Sequence, residues 1–321
     1  MTGMAGVGLV LGAGGLTGQA YHAGVLAGIQ DATGWDPRTA SLVVGTSAGS
    51  AAGTYLRLGL SAHDFAALLR QGGELTPEGV ELISRLGPTG DWTEPTVRRA
   101  WNAPHPNLLG QLVRAPWRVR PEALLGVAIP TGRIDTESWT AALRPLAGPQ
   151  WPAARLWICS VRMDDTRRVV FGRSDAPVTD VATAVGASSA IPGYFAPVTI
   201  HGRRYVDGGV HSPSNADVLR RESLDLVIVS SPMTTSRNAP VRNASHAARR
   251  HFRARLGQEV RRLRRAGMTV VVFQPSEADL AVMGGRAMDH TRTGAVVEQA
   301  RETTRRRIGA RPLPELARAR A

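Results

Sequence analysis

Apolar positions along the chain follow two rhythms. Short runs rich in valine, leucine and isoleucine, such as VGLVL near residue 10 and TVVVF near residue 270, have the length of strands covered on both faces. Between them, apolar residues return every three or four positions, as on a helix with one face turned inward. The pattern predicts strands near 6–12, 41–45, 155–162, 167–172, 195–200, 203–206, 225–230 and 268–273. It predicts helices near 17–31, 47–58, 61–70, 135–146, 178–189, 213–222, 245–266 and 290–307. A β-α-β-α opening implies a mainly parallel sheet with helices on both faces. TIHGRRYV predicts a hairpin turning at His201-Gly202.

Residues 71–133 break this rhythm. Glycine and proline recur there, and Trp92, Trp101 and Trp117 stand among Arg98, Arg99, Arg114, Arg118 and Arg120. Two readings stay open: an ordinary insertion with its tryptophans packed inside, or a cap over a site, since Trp and Arg both suit a lipid–water interface. In the helix near 245–266, Phe252, Leu256, Val260 and Leu263 form a stripe for the core. Its arginine-coated outer face is a solvated surface or a contact for acidic lipid head groups.

The 321 residues, 43% of them hydrophobic, are enough for a large folded core. No apolar stretch is long enough to cross a bilayer, and no positive residue precedes Arg38. Cys159 is the only cysteine, which excludes a disulfide within the chain and a cysteine metal cluster. A cytoplasmic protein is the simplest expectation. The formal charge of +13 raises nucleic acid as a partner, yet all 39 basic residues are arginine and lysine is absent. That pattern is one of compositional bias, and with no nucleic-acid-binding signature the chain is not expected to bind nucleic acid. Oligomeric state is not legible.

Candidate chemistry begins after the first strand, where Gly12, Gly14, Gly15 and Gly18 lead into a helix. A dinucleotide fingerprint needs its third glycine at 17 and a carboxylate after the second strand; neither is present. Backbone N–H groups near Gly14, Gly15 and Leu16 could instead converge on an oxygen that gains negative charge during reaction. The second strand ends in GTSAG, residues 45–49. Gly45 and Gly49 around Ser47 fit a plain strand-to-helix turn or a strained, exposed nucleophile. In a parallel sheet the loops after strands one and two are neighbours, so the glycine donors would face Ser47 across a gap suited to an ester carbonyl.

A serine needs a base. None of the eight histidines has a glycine-rich strand-end context, and His211 alone lies near a telling motif, Asp207-Gly208-Gly209. That motif is a tight turn or a carboxylate at the rim that carries Ser47. Water exclusion would raise the basicity of Asp207, so that two residues could do the work of three.

GAGGLTG, GTSAG and DGG, in this order, resemble the patatin-like phospholipase family, as does the segment ATAVGASSAIPGYFAPVTIHGRRYVDGG. The resemblance covers roughly residues 6–230 and continues more loosely to about 307. It implies a three-layer α/β/α sandwich with a mainly parallel central sheet. Residues 1–321 would be one domain, with the insertion or cap at about 71–133 and arginine-rich C-terminal helices at about 245–307. It also implies a Ser-Asp dyad with Ser47 as nucleophile, Asp207 as base and Gly14, Gly15 and Leu16 as oxyanion hole. Gly12, Gly18, Gly45, Gly49, Gly208 and Gly209 would support these groups. The implied activity is hydrolysis of lipid acyl esters without cofactor or metal, with peripheral contact to an anionic membrane surface open.

The chain departs from the family pattern at Thr17, where a Lys or Arg is usual, and by one extra residue between Gly18 and Gly24. Two rivals remain: a weak or inactive patatin-like protein that binds lipid or a partner, and a Ser-His-Asp esterase using His211 or His290.

Overall fold

The computed structural model describes residues 6–70, 72–87, 132, 134–236 and 244–318. Its strands are β1 (Val7–Leu11), β2 (Leu42–Thr46), β3 (Leu156–Arg162), β4 (Arg168–Phe171), β5 (Val198–Ile200), β6 (Arg203–Asp207), β7 (Leu226–Ser230) and β8 (Thr269–Phe273). Its longer helices are α1 (Gly15–Thr33), α2 (Ala48–Arg57), α3 (Ala62–Leu69), α4 (Pro77–Ser84), α5 (Val181–Ser189), α6 (Ala244–Arg265), α7 (Glu277–Met283) and α8 (Thr293–Ala310). A last turn, α9 (Pro314–Arg318), follows.

The strands form one sheet in the order β5-β6-β3-β2-β1-β7-β8, with β4 also paired to β3. The five from β3 to β8 run parallel, while β4, β5 and β6 are antiparallel additions at one end. Leu9, Leu11, Val43, Ile158 and Ile228 share a core with α1, α2, α3, α5 and α8. Their chain neighbours Val10, Val44, Cys159 and Val227 point the other way, into a core with α6 and the turn Ala216–Arg221. Apolar residues on both faces explain the unbroken hydrophobic runs, and the result is a three-layer sandwich. Leu256, Val260 and Leu263 are buried as their stripe predicts, with Phe252 half-buried beside them.

Two features of the sheet place the site. From β1 the chain steps to one side for β2 and β3, then returns to the other side for β7 and β8. The loop after β1 therefore opens where strand order reverses, the usual crevice of such sheets. The second feature lies along β3. Its residues 156–159 pair with β2, 160–162 pair with β6, and 158–161 pair with β4. Since β4 overlaps both of the others, β2 and β6 must share the opposite flank. They run toward each other there and meet end to end, with Thr46 against Cys159 and Asp207 against Ser160.

Some elements differ from the sequence pattern. The helix expected near 213–222 is a 3-10 run, Ala216–Arg221, and that near 135–146 is broken into Glu137–Thr140, Ala141–Leu143 and Arg144–Ala147. Helices α4, α7 and α9 were not expected. In α4, Pro77 occupies the first turn and Thr76 caps it, accepting from the Gly79 N–H at 3.1 Å. Asp64, buried in α3, holds that cap by accepting from the Thr76 N–H at 2.7 Å and its hydroxyl at 2.9 Å. The start of the insertion is thus ordered against the core. The tryptophans and arginines on which a cap was argued lie outside the described residues. The hairpin turn is as read, with His201 and Gly202 both at positive φ, 47° and 72°.

At the far end of the sheet, β8 is an edge strand. The Arg264 guanidinium donates to the Val270 carbonyl at 3.1 Å, and Arg307 donates to the Val272 carbonyl while lying 4.7 Å over the Phe273 ring.

Candidate active site

β2 gives way to α2 without a loop, and Ser47 is the joint. Its φ of 53° and ψ of −123° lie where a residue with a Cβ is held only by its surroundings. A Cβ on Gly45 would stand 2.5 Å from the Gly49 carbonyl oxygen, and one on Gly49 would run into the Leu11 carbonyl. Helix and strands approach so closely that only glycine fits on either side of the serine. The Ser47 N–H donates to Ser188 Oγ at 2.9 Å, and that hydroxyl donates to the Cys159 carbonyl at 2.6 Å. The Ser47 carbonyl accepts from Ser50 Oγ at 2.6 Å.

Asp207 arrives from the other direction as the last residue of β6. Ser47 is 3% exposed and Asp207 5%, and the Ser47 side chain lies near enough to the Asp207 carboxylate to favour its charged form. Its Oδ1 also accepts from the Gly209 N–H at 2.6 Å. Burial pushes its pKa up to about 6, against the pull of Ser47 and the Gly209 N–H toward the charged form. A Cβ on Gly208 would run into the Cys159 carbonyl, so this glycine too is fixed by close packing.

The glycine loop after β1 closes the group. The Ala13 N–H donates to the Pro213 carbonyl at 2.7 Å, which ties the loop to the segment following Asp207. The Gly12 N–H donates to the Ser230 carbonyl at 3.0 Å. Beneath lies His22, wholly buried, with Nε2 2.7 Å from the Gly12 carbonyl and Nδ1 2.8 Å from Ser230 Oγ. Burial lowers its pKa to about 4, so the ring is neutral at pH 7. The carbonyl can only accept, so Nε2 carries the proton and Nδ1 accepts from the serine. Gly15, at φ 62°, begins α1. The Thr17 N–H is taken by the Ala287 carbonyl at 3.0 Å and that of Gly18 by the Gly14 carbonyl at 2.9 Å. Among the described residues no acceptor is paired with the N–H groups of Gly14, Gly15 or Leu16. A helix start with free donors is a natural seat for negative charge.

The three glycine motifs are therefore neighbours. Of the candidate esterase histidines, His211 caps the turn that follows Asp207 and sits among Arg168, Asp217 and Arg262, where burial and then Arg168 lower its pKa to about 4. His290 is exposed at the turn before α8. No group of three or more His, Cys, Asp or Glu side chains is placed to hold a metal among the described residues. Sequence reading missed His22, Ser188 and Asn215, all buried polar residues close to the motifs. Ser188 interrupts an apolar stretch in VATAVGASSA, a signal that was available.

A family model described as patatin-like phospholipase matches residues 9–220. Among solved structures the chain is similar to VipD from Legionella pneumophila, at 15% identity and TM-score 0.43 over 96% of this chain and 67% of that one. It is also similar to the type III effector ExoU, at 17% identity and TM-score 0.41 over 97% of this chain and 54% of that one. A third likeness is to the ExoU–SpcU complex of Pseudomonas aeruginosa, at 16% identity and TM-score 0.37 over 99% of this chain and 52% of that one. The chain thus spans about two thirds of VipD and about half of ExoU. No curated protein matches it.

Proposed function

Because the chain belongs to the patatin-like phospholipase family, we propose that it is a serine acyl hydrolase cleaving carboxylic ester bonds of lipids. The observation that carries the reading is the buried Asp207 carboxylate beside the Ser47 side chain at the meeting point of β2 and β6. In the proposed reaction Asp207 takes the hydroxyl proton as Ser47 Oγ attacks the ester carbonyl carbon. The carbonyl oxygen becomes an oxyanion, received by the N–H groups of Gly14, Gly15 and Leu16. As the intermediate collapses, the alcohol leaves with the proton held by Asp207. Water then attacks the acyl-serine with Asp207 again as base, releasing the fatty acid and restoring Ser47. A pKa raised to about 6 keeps the base charged at pH 7 and makes it a better proton acceptor than an ordinary aspartate.

A fluorophosphonate should label Ser47, and the protein should hydrolyse short-chain p-nitrophenyl esters. Ser47→Ala should lose both, and Asp207→Asn should slow both by at least about a hundredfold. Folded protein that takes up no label would end the hydrolase reading and leave the lipid- or partner-binding alternative.

We further place its action at the cytoplasmic surface of an anionic membrane, reached through α6. Some arginines are matched with carboxylates, as in Arg70–Glu298, Arg144–Asp180 and Arg301–Asp31. Among the described residues no ion pair engages Arg250, Arg253 or Arg261, which flank a groove of about 460 Å³ floored by Leu256, Val260 and Val272. Guanidinium groups beside an apolar floor suit a phosphate head group with its acyl chain. No described helix is long and apolar enough to cross a membrane. Binding to phosphatidylserine vesicles in a sedimentation assay should weaken as salt rises and fall at least about tenfold in the triple Arg→Glu variant. Binding indifferent to both changes would remove this surface from the proposal.

A further inference from the structure

Asn215 lies in the connection between β6 and β7, fully buried, with a left-handed backbone of φ 51° and ψ 25°. Its Nδ2 faces three acceptors: the Ser212 carbonyl at 2.6 Å, Thr46 Oγ1 at 3.1 Å and the Gly208 carbonyl at 3.2 Å. Its Oδ1 accepts from Arg168 Nη1 at 3.0 Å, and the same Arg168 nitrogen pairs with Asp217 at 2.5 Å. Two of these acceptors occupy telling places. Thr46 immediately precedes Ser47, and Gly208 immediately follows Asp207.

Strand pairing alone does not hold those two residues together. β2 and β6 meet tip to tip along β3, and the described ladders join each of them to β3 but not to one another. The Asn215 amide spans that junction, its two N–H groups shared among the Ser212 carbonyl, Thr46 Oγ1 and the Gly208 carbonyl. From these contacts we infer that Asn215 is a positioning residue, a latch that sets the distance and angle between Ser47 and Asp207 by tying Thr46 to Gly208. This rests on the roles proposed above for Ser47 and Asp207.

The latch is itself held. The Asn215 N–H donates to Ser212 Oγ at 3.3 Å. Glu259 of α6, buried, accepts from Ser214 Oγ at 2.7 Å and from the Ala216 N–H at 2.9 Å, gripping the loop on both sides of Asn215. The chemistry selects an amide. The Arg168 end requires an acceptor and the Gly208 end requires a donor, so a carboxylate of the same shape would satisfy only the first. Asparagine also tolerates the left-handed backbone better than other residues with side chains.

The test compares wild type with Asn215→Gly, which keeps the backbone conformation and removes the amide, and with Asn215→Asp, which keeps the shape and the Arg168 contact. Fluorophosphonate labelling at Ser47 and turnover of a soluble ester are read on protein whose folded fraction is matched by circular dichroism. Both variants should label at least about tenfold more slowly, with kcat lowered to match and KM within about twofold, since a reacting pair is misplaced while substrate contacts stay. The acid limb of the pH–rate profile should also move to lower pH, because a loosened Asp207 gains water. A change in global stability alone moves neither that limb nor the kcat-to-KM balance.

Folded Asn215→Gly that labels at the wild-type rate overturns the latch. If the Asn215 variants do not fold, Thr46→Val decides, because it removes one acceptor with little change in volume. It should slow labelling by about threefold or more, and an unchanged rate overturns the proposal. Wild type that takes no label is a different outcome, since it rejects the proposed roles of Ser47 and Asp207 themselves.

Discussion

A buried carboxylate is a burden to the folded chain whenever it is charged. Asp207 binds its proton more tightly in the native state, with a pKa of about 6, than in the unfolded chain, where about 3.9 is usual. Its contribution to stability is therefore complete below about pH 4 and is lost as pH rises through about 6, at a cost of about 3 kcal/mol. Asp207→Asn carries no charge and should be more stable than wild type at pH 7.5, with the gap closing toward pH 4. Urea melts at the two values check this; parallel pH dependence in both proteins counts against it. Ester turnover should have the opposite trend and fade as pH drops through about 6. Ser47 and Asp207 could be picked out because each stands beside glycines with a reason to be there. Asn215 and His22 could not, because a buried polar residue is recognised by the partners that satisfy it, and those lie far off in the sequence.

Among the elements, strands were the most legible part of the sequence. β1, β2, β3 and β7 are short apolar runs bounded by turn residues, and burial on both faces leaves no polar alternation to confuse the pattern. Helices were less so where they are short. The 3-10 run Ala216–Arg221 is set by the polar grip of Glu259 on the loop, and α7 by a capping box of Ser276 and Asp279, neither of which shows in hydrophobic spacing. Helix packing yields a prediction of its own. A Cβ on Gly28 of α1 would stand 2.7 Å from the Arg301 carbonyl and 2.9 Å from Thr304 Cβ of α8. Gly28→Ala should thus cost about 1–3 kcal/mol by forcing α1 and α8 apart. Gly309, near the end of α8, has nothing within 4 Å of its added Cβ, and Gly309→Ala should be neutral or stabilising by up to about 1 kcal/mol. Thermal melts of the two variants make the comparison, and equal losses would mean that helix propensity and not packing decides.

For the whole molecule, the end-to-end meeting of β2 and β6 could not be read from the sequence, because order along a chain does not say which flank of β3 each strand occupies. The same holds for the C-terminal segment whose Ala287 carbonyl docks on the first turn of α1. Arginine, used here in place of lysine throughout, serves more than surface charge. On β8 the guanidinium groups of Arg264 and Arg307 occupy carbonyls that a foreign strand would otherwise seek. A second molecule approaching that border finds those two carbonyls already taken and meets two positive charges. The hydrophobic TVVVF segment, which in isolation has the makings of a fibril-forming peptide, thereby offers a poorer template for a foreign strand.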